Sequence, residues 1–345
     1  MRRHGNLFEK IVDMDNLRTA FKKSKKAKSW MKAVKEFESD LDNNLLRIQN
    51  SLLNKTFTTS KYKVKYAYYP KFREIYVVPF DSDRVVQHAL LNVLEPIWDK
   101  ILVDNSMSCR KGKGVEEAYR KTAEYVNTNR YCLKCDVSKF YPSVVHDIMF
   151  DVVKRKIKCK DTLWLLKDII YAFGRQFNTT KNTPIGNYTS QWFGNLYLDI
   201  LDRKATQEYK VDYIRYCDDF IFFSDDKELL NRIKEEIVPF LIEERQLTLS
   251  KCELFPVRNG LDFIGYRFFP QGYILLRKRV AKTMKKRMNR ITRKLNRGGN
   301  PNNIRLRSSV ASAVGLLRRC NSHNFKKAIG FRSLLKRCNI KTKHR

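Results

Sequence analysis

The chain has 345 residues, of which 70 are Lys or Arg and 36 are Asp or Glu, so its formal net charge is +34. This length, with 43% hydrophobic residues, allows substantial cores and two or three subdomains. No apolar run approaches the roughly 18 residues that span a bilayer, so we expect a soluble, cytoplasmic protein that does not bind membranes. Its eight Cys residues are scattered, and Cys132 and Cys135 have no second pair at zinc-ligand spacing, which favours reduced packing thiols.

The N-terminal segment, residues 1–60, is predicted to be a helical extension. Trp30, Val34, Phe37 and Leu41 follow one another at three- and four-residue spacing, the period of one helix face. We therefore expect these four side chains to pack together on the same side of a helix.

Carboxylates end two predicted strands further along the chain. Asp136 closes the apolar run 131–135, and Asp218 and Asp219 lie between 211–215 and 220–223, which are rich in β-branched and aromatic residues. The adjacent pair is therefore predicted to occupy a hairpin tip. An Asp-Asp pair alone is more often a solvated turn, but a further acid at another strand end changes that interpretation.

Neighbouring carboxylates repel each other unless a cation neutralises them, and hard oxygen ligands suit Mg²⁺ or Mn²⁺. Three acids from two strands can hold two metal ions about 3.5–4 Å apart, the spacing that serves phosphoryl transfer. The sequence therefore predicts nucleotidyl transfer with two Mg²⁺ ions, for which Mn²⁺ could substitute.

Between the two acidic sites, residues 183–191 lead into apolar residues at helical spacing, among them Trp192, Phe193 and Leu196. A Gly at a helix entrance, here Gly186, lets the backbone approach a ligand closely. The positive end of the helix favours phosphate nearby. This segment is a candidate phosphate-binding site.

The last quarter of the chain is strongly basic. After Asp262 there is no acidic residue, and residues 263–345 contain 24 Lys or Arg. Such a block fits a surface that follows a phosphate backbone, whereas a disordered basic tail is the alternative. Apolar residues at helical spacing, for example Met284, Met288 and Ile291, favour a helical unit with a break at residues 298–301.

In this order, the segments resemble the motifs of reverse transcriptases. Asp136 matches the first metal-binding motif of template-dependent polymerases, and Tyr216-Cys217-Asp218-Asp219 has the Tyr-x-Asp-Asp form. The resemblance covers roughly residues 55–330. It implies an α+β, right-hand polymerase fold, with fingers and a palm built from an antiparallel sheet packed on helices, plus a helical thumb. It further implies an N-terminal helical extension at 1–60, fingers at 61–130, a palm at 131–270 with fingers and palm helices at 144–210, and a basic helical thumb at 271–345.

The resemblance also implies roles for individual residues. The implied catalytic residues are Asp136, Asp218, Asp219 and Lys251, the last as proton donor to the pyrophosphate leaving group. The implied metal ligands are Asp136, Val137, Asp218 and Asp219. The implied nucleotide-binding residues are Lys71, Arg73, Tyr141, Ile185 and Gly186. The implied template- or primer-binding residues are Arg110, Ser190, Gln191, Tyr216 and Gly265.

The sugar of the incoming nucleotide is expected to be a deoxyribose. Tyr141 occupies the position where reverse transcriptases carry a bulky aromatic residue that collides with a ribose 2′-hydroxyl. The alternative is that Phe140 and Tyr141 both pack in the palm core, the usual place of an aromatic pair. The positions of these residues in the family motif favour Tyr141 as the residue that excludes ribonucleotides, called the gate below, and Phe140 as a residue of the palm core.

Ile185-Gly186 and Ser190-Gln191 resemble the reverse transcriptases of diversity-generating retroelements, found in bacteria and phages and related to group II intron enzymes. Such enzymes copy a template-repeat RNA into cDNA with frequent errors opposite adenine. The resemblance implies template RNA, cDNA primer, dNTPs and a small basic accessory protein as partners, in a bacterial cytoplasm. The open alternatives are a group II intron-like or retron-type enzyme without a mutagenic role, and a non-catalytic RNA-binding, maturase-like protein. Equally, Ile185 could fill a pocket without affecting fidelity.

Overall fold

A computed structural model describes residues 3–68 and 72–341 of the chain. Its helices are α1 (Phe8–Val12), α2 (Met14–Ser24), α3 (Lys32–Ser39), α4 (Leu41–Leu53), α5 (Val85–Ile101), α6 (Val115–Thr128), α7 (Phe140–Ser143), α8 (His146–Lys154), α9 (Lys160–Phe177), α10 (Tyr188–Tyr197), α11 (Asp199–Arg203), α12 (Lys227–Arg245), α13 (Lys278–Asn296), α14 (Ile304–Leu317), α15 (His323–Ala328) and α16 (Phe331–Arg337). Its strands are β1 (Lys63–Ala67), β2 (Arg73–Val77), β3 (Tyr131–Val137), β4 (Asp212–Tyr216), β5 (Asp219–Ser224), β6 (Leu249–Pro256), β7 (Leu261–Phe263), β8 (Tyr266–Phe268) and β9 (Ile274–Leu276). This mixture of helices and sheets confirms the predicted α+β class.

The chain forms two compact units. The first contains Met1–Gly114, Lys134–Phe222 and Asn231–Glu253, and the second contains Val115–Leu133, Phe223–Leu230 and Leu254–Arg345. The division into extension, fingers, palm and thumb stays a prediction.

A four-stranded sheet with the order β4-β5-β3-β6 positions the predicted acids. The apolar and aromatic residues of β5 are buried from Phe220 to Phe223, and those of β3 include buried Leu133 and Val137. Only two residues connect β4 to β5, so these strands form an antiparallel hairpin. The predicted hairpin is therefore confirmed.

Helices α5 and α10 supply much of the core of the first unit. Trp98 of α5 and Trp192 of α10 are buried, with ring centroids 6.3 Å apart, and Phe193 lies 6.2 Å from Trp98. The same unit contains the antiparallel hairpin β1–β2, whose register pairs Lys63 with Val77 and Ala67 with Arg73.

One prediction for the N-terminal segment is wrong. Val34 and Phe37 are buried, but the Trp30 side chain is 75% exposed and precedes the first residue of α3. Helix α2 ends at Ser24, Ala27 adopts a positive φ of 58° in the connection that follows, and Leu41 begins α4, so the four residues do not share one helix. The spacing of the apolar residues does not show that the helix is interrupted between Ser24 and Lys32.

The second unit has its own sheet and core. Strands β7, β8 and β9 form an antiparallel sheet, and α13 buries Met284, Met288 and Ile291 against residues of the following helices such as Val310 and Phe331. Helix α13 ends at Asn296 and α14 begins at Ile304, so the predicted break is confirmed. Among the described residues, no helix combines the length and apolar character needed to cross a membrane.

Candidate active site

The turn between β4 and β5 carries two of the three predicted acids. Asp218 lies in the turn, Asp219 is the first residue of β5, and Cys217 adopts a positive φ of 59°. The left-handed backbone at Cys217 is uncommon for a residue with a side chain, so the surrounding structure must hold it.

The end of β3 lies beside this turn. The amide of Val137 donates a hydrogen bond to the carbonyl oxygen of Asp218 at 3.1 Å. Asp136 therefore stands on a strand end adjacent to the turn, and its Oδ2 accepts a hydrogen bond from Ser250 Oγ of β6 at 2.7 Å. The fold thus brings Asp136, Asp218 and Asp219 to the same part of the first unit.

The electrostatics of Asp219 reflect this proximity. Burial, opposed by Lys134 and reinforced by the charges of Asp136 and Asp218, raises the pKa of Asp219 to about 6. Lys134 Nζ lies 3.3 Å from Asp219 Oδ2. Lys134 only partly offsets the negative charge of the three aspartates, so this region is suited to bind a cation.

The residues present fit a divalent cation, although the side chains do not form a compact cage. Among residues 3–68 and 72–341, no three His, Cys, Asp or Glu side chains come together closely enough to form a metal site. Asp219 Oδ1 is nevertheless buried and accepts no hydrogen bond within the described part of the chain. A buried carboxylate oxygen of this kind is a ligand that Mg²⁺ and Mn²⁺ favour, and the charges of Asp136 and Asp218 act on the same carboxyl group.

Tyr141 lies in α7, five residues after Asp136, and is partly buried. Its ring contacts that of Phe140, with centroids 5.3 Å apart, and a Cβ at Gly194 of α10 would lie 3.6 Å from Tyr141 Cε1. Burial, and then the nearby Cys217, Cys109 and Asp218, raise the pKa of Tyr141. The ring therefore lies between α10 and the Asp218 turn, whereas Phe140 is buried.

The loop before α10 packs against β2. Gly186 has a φ of +123°, and a Cβ there would lie 2.7 Å from the carbonyl oxygen of Tyr76. The carbonyl oxygen of Ile185 accepts a hydrogen bond from the Tyr76 amide at 2.9 Å. A side chain at position 186 would clash with strand backbone, so glycine is required by packing as well as by conformation. Gly186 is exposed and Ile185 is half-buried.

The predicted template-binding residues in this part of the chain differ in exposure. Gln191 is exposed on α10, whereas Ser190 is buried and donates a hydrogen bond to the carbonyl oxygen of Pro184 at 2.7 Å. Arg110 is also buried, with Nε 2.6 Å from Asp99 Oδ1 and Nη1 3.0 Å from the carbonyl oxygen of Ser106. A contact between Arg110 and a template would require these internal hydrogen bonds to break.

The remaining predicted residues occupy several elements. Arg73 is exposed at the start of β2, Tyr216 is half-buried at the end of β4, and Lys251 is exposed on β6 with Glu253 Oε1 at 3.8 Å. In the second unit, Gly265 has a φ of +93° in the turn between β7 and β8. Lys71 lies outside the described residues.

Two contacts to the acids were not anticipated from the sequence. Lys134 pairs with Asp219 because both belong to neighbouring strands of the sheet, and Ser250 reaches Asp136 from β6 in the same way. The available signal was a lone Lys inside the apolar run 131–135, since a charged residue in a buried strand usually has a partner.

Comparisons with known proteins place the chain in a family. Residues 61–268, more than half of the chain, match the family described as reverse transcriptase (RNA-dependent DNA polymerase). Protein YkfC of Escherichia coli is 24% identical over 55% of this chain, and nuclear intron maturase 4 of Arabidopsis thaliana is 26% identical over 39%. These matches span 61% of YkfC and 17% of the maturase, so the chain covers less than two thirds of either relative.

A telomerase from Candida albicans, solved with a fragment of telomeric RNA, is similar in structure, with a TM-score of 0.49 and 10% identity. That match covers 84% of this chain and 62% of the telomerase. On the strength of the match over residues 61–268, the chain belongs to the reverse transcriptase family.

Proposed function

We propose that this protein is an RNA-directed DNA polymerase that copies a template-repeat RNA for a diversity-generating retroelement. The observation that carries the polymerase assignment is the Val137–Asp218 hydrogen bond, which sets Asp136 beside the turn containing Asp218 and Asp219. Family membership over residues 61–268 supports it independently. A protein that only bound RNA would gain nothing from carboxylates clustered where phosphates should lie, because like charges repel.

The cofactor would be two Mg²⁺ ions, or Mn²⁺, held by Asp136, Asp218 and Asp219 with Val137 as a further ligand. Asp219 Oδ1, which is buried without a hydrogen bond from the described residues, supports this arrangement. When bound, such ions would activate the attacking primer oxygen and stabilise the pyrophosphate leaving group.

The other residues of the site would bind and orient the nucleotide. Arg73, and Lys71 near it in sequence, would bind the triphosphate, since both are cations on the segment that includes β2. The Tyr141 ring would exclude a ribose 2′-hydroxyl, and Lys251, exposed on β6, would donate a proton to the leaving pyrophosphate.

Template RNA and the cDNA primer would bind through the basic surface of the chain. Helix α13 buries one apolar face and contains nine Lys or Arg between Lys278 and Lys294, so the positive charge lies on the remaining surface. Such a surface should bind a phosphate backbone in a salt-dependent way. A small basic accessory protein remains part of the proposal through the family resemblance.

The mutagenic role depends on Ile185. Its backbone is fixed by the hydrogen bond to Tyr76, and its half-buried aliphatic side chain offers no hydrogen bond to a nucleotide or template base. A site that lacks polar contacts discriminates weakly between substrates that differ in hydrogen bonding. This gives a physical reason for errors, although the selectivity for adenine rests on the resemblance.

The proposal can be tested by sequencing cDNA. The purified protein is given a defined RNA template, an annealed DNA primer, all four dNTPs and Mg²⁺, with a duplicate reaction containing EDTA. We expect RNA-templated cDNA only with the metal, and misincorporation concentrated opposite adenines. Replacing Ile185 with Gln should lower misincorporation opposite adenine about fivefold, the effect of roughly one added hydrogen bond.

Ile185→Leu is the matched control, because leucine keeps an aliphatic side chain and should keep the error pattern. An unchanged error rate in Ile185→Gln would refute the fidelity argument while leaving the polymerase assignment in place. No cDNA from the wild-type protein would count against the polymerase assignment itself.

A second candidate is a group II intron-like reverse transcriptase. The observation in its favour is the similarity to a protein named as an intron maturase. Faithful copying of adenines by the wild-type protein in the same cDNA experiment would favour this candidate over the mutagenic one.

A further inference from the structure

A buried ion pair lies directly behind the turn that carries Asp218. Arg215 of β4 and Asp202 of α11 are both fully buried, with Arg215 Nε 2.7 Å from Asp202 Oδ1 and Nη2 2.6 Å from Oδ2. Removing two charges from water is costly, and an apolar pair of the same size is often at least as stable. The pair therefore needs an explanation beyond stability.

The rest of the Arg215 guanidinium contacts the turn and its supports. Nη1 donates to the carbonyl oxygen of Cys217 at 3.0 Å and to Asn195 Oδ1 at 3.2 Å, and Nη2 donates to Ser106 Oγ at 2.9 Å. Every N–H of the side chain thus has an acceptor. Asp202 fixes the guanidinium, and the guanidinium fixes the carbonyl group that immediately precedes Asp218.

The amide of Cys217 is held as well. Ser108 Oγ accepts a hydrogen bond from this amide at 3.1 Å and lies 3.2 Å from Asn195 Oδ1, to which it donates. Asn195 Nδ2 in turn donates to the carbonyl oxygen of Ser108 at 2.9 Å. Both backbone polar groups of Cys217, the residue with left-handed φ, are therefore bound by buried side chains, the carbonyl by Arg215 and the amide by Ser108.

We propose that Ser108, Asn195 and Arg215 are positioning residues for Asp218, and the inference rests on the proposed polymerase function. They act through the Cys217 peptide, whose orientation decides where the Asp218 carboxylate points. Partners that orient a metal-binding group in this way commonly change metal affinity or activity by about 10- to 100-fold when they are replaced. A shift of the turn by a fraction of an ångström would disturb in-line attack.

The test compares Ser108→Ala with Ser24→Ala. Ser24 is also a buried serine of the first unit, and its hydroxyl donates one hydrogen bond to the carbonyl oxygen of Phe21 at 2.8 Å. In Ser108→Ala we expect kcat for dNTP incorporation to fall about 10- to 100-fold. The Mg²⁺ concentration for half-maximal rate should rise, the KM for primer–template should stay unchanged, and both variants should stay folded at the assay temperature by circular dichroism.

Amide hydrogen exchange supplies a measurement that does not require activity. Exchange of the peptide containing residues 216–219 should be faster in Ser108→Ala than in the wild-type protein, and unchanged in Ser24→Ala. Arg215→Lys keeps the charge opposite Asp202 but loses the planar guanidinium and its several N–H donors. A folded Arg215→Lys protein should therefore show the same rise in the Mg²⁺ concentration for half-maximal rate as Ser108→Ala.

A folded Ser108→Ala protein with wild-type Mg²⁺ dependence and wild-type exchange would overturn the positioning role, as would an equal loss in Ser24→Ala. If the wild-type protein makes no cDNA, the proposed function fails separately. In that case the exchange experiment alone decides the inference, and equal exchange in Ser108→Ala and wild type refutes it.

Discussion

Replacing Asp136 or Asp218 with Asn is expected to lower RNA-templated dNTP incorporation by about 10³-fold or more, because divalent ions contribute several kcal/mol of transition-state stabilisation. Asn keeps the size of the side chain but removes the charge that would hold the cation. Primer-extension rates at saturating Mg²⁺ measure the effect. RNA affinity, measured by fluorescence anisotropy, should change little, since the proposed nucleic-acid surface is elsewhere in the chain.

The same variants should be at least as stable as the wild-type protein without metal. Removing one of several clustered carboxylates relieves repulsion, so the melting temperature in EDTA should stay the same or rise. Asp219→Asn should cost less activity than Asp218→Asn, because Lys134 already pairs with Asp219.

Asp212→Asn is the matched control for these variants, since Asp212 is exposed at the opposite end of β4 on the same hairpin. Its activity should equal that of the wild-type protein. Retained synthesis in Asp136→Asn or Asp218→Asn would refute the metal assignment.

Replacing Tyr141 with Val is expected to admit ribonucleotides, with the preference for dNTP over rNTP falling roughly 100-fold. The ring lies between Gly194 of α10 and the Asp218 turn, so shortening the side chain opens space next to the proposed nucleotide site. The ratio of kcat/KM for matched dNTP and rNTP substrates measures the change.

Two variants separate gating from packing. Tyr141→Phe keeps the ring and should keep the preference, whereas Phe140→Leu should lower the melting temperature without changing the preference, because Phe140 is a buried core residue. An unchanged sugar preference in a folded Tyr141→Val protein would contradict the gate.

Local patterns predicted much of the architecture. The strand at 131–137, the hairpin around Asp218 and the helix after Gly186 each have a hydrophobic period and a turn residue in a short segment. The apolar face of α13 was predicted for the same reason. These features depend on neighbours within about ten residues, which the sequence displays directly.

Features that depend on distant segments could not be predicted in this way. Ser108 and Cys217 are more than a hundred positions apart, and nothing near Ser108 indicates that its hydroxyl binds the Cys217 amide. The family resemblance implies that Arg110 binds template, but it does not show that the guanidinium is buried against Asp99. Tertiary packing decides the direction of such side chains.

The most direct test of the central claim is the location of Mn²⁺ in crystals of the protein with an RNA template, a dideoxy-terminated DNA primer and the matching dNTP. The account predicts two anomalous peaks about 3.5–4 Å apart, bounded by the carboxylates of Asp136 and Asp218. Manganese bound elsewhere, or none at these aspartates while primer and dNTP are in place, would contradict it.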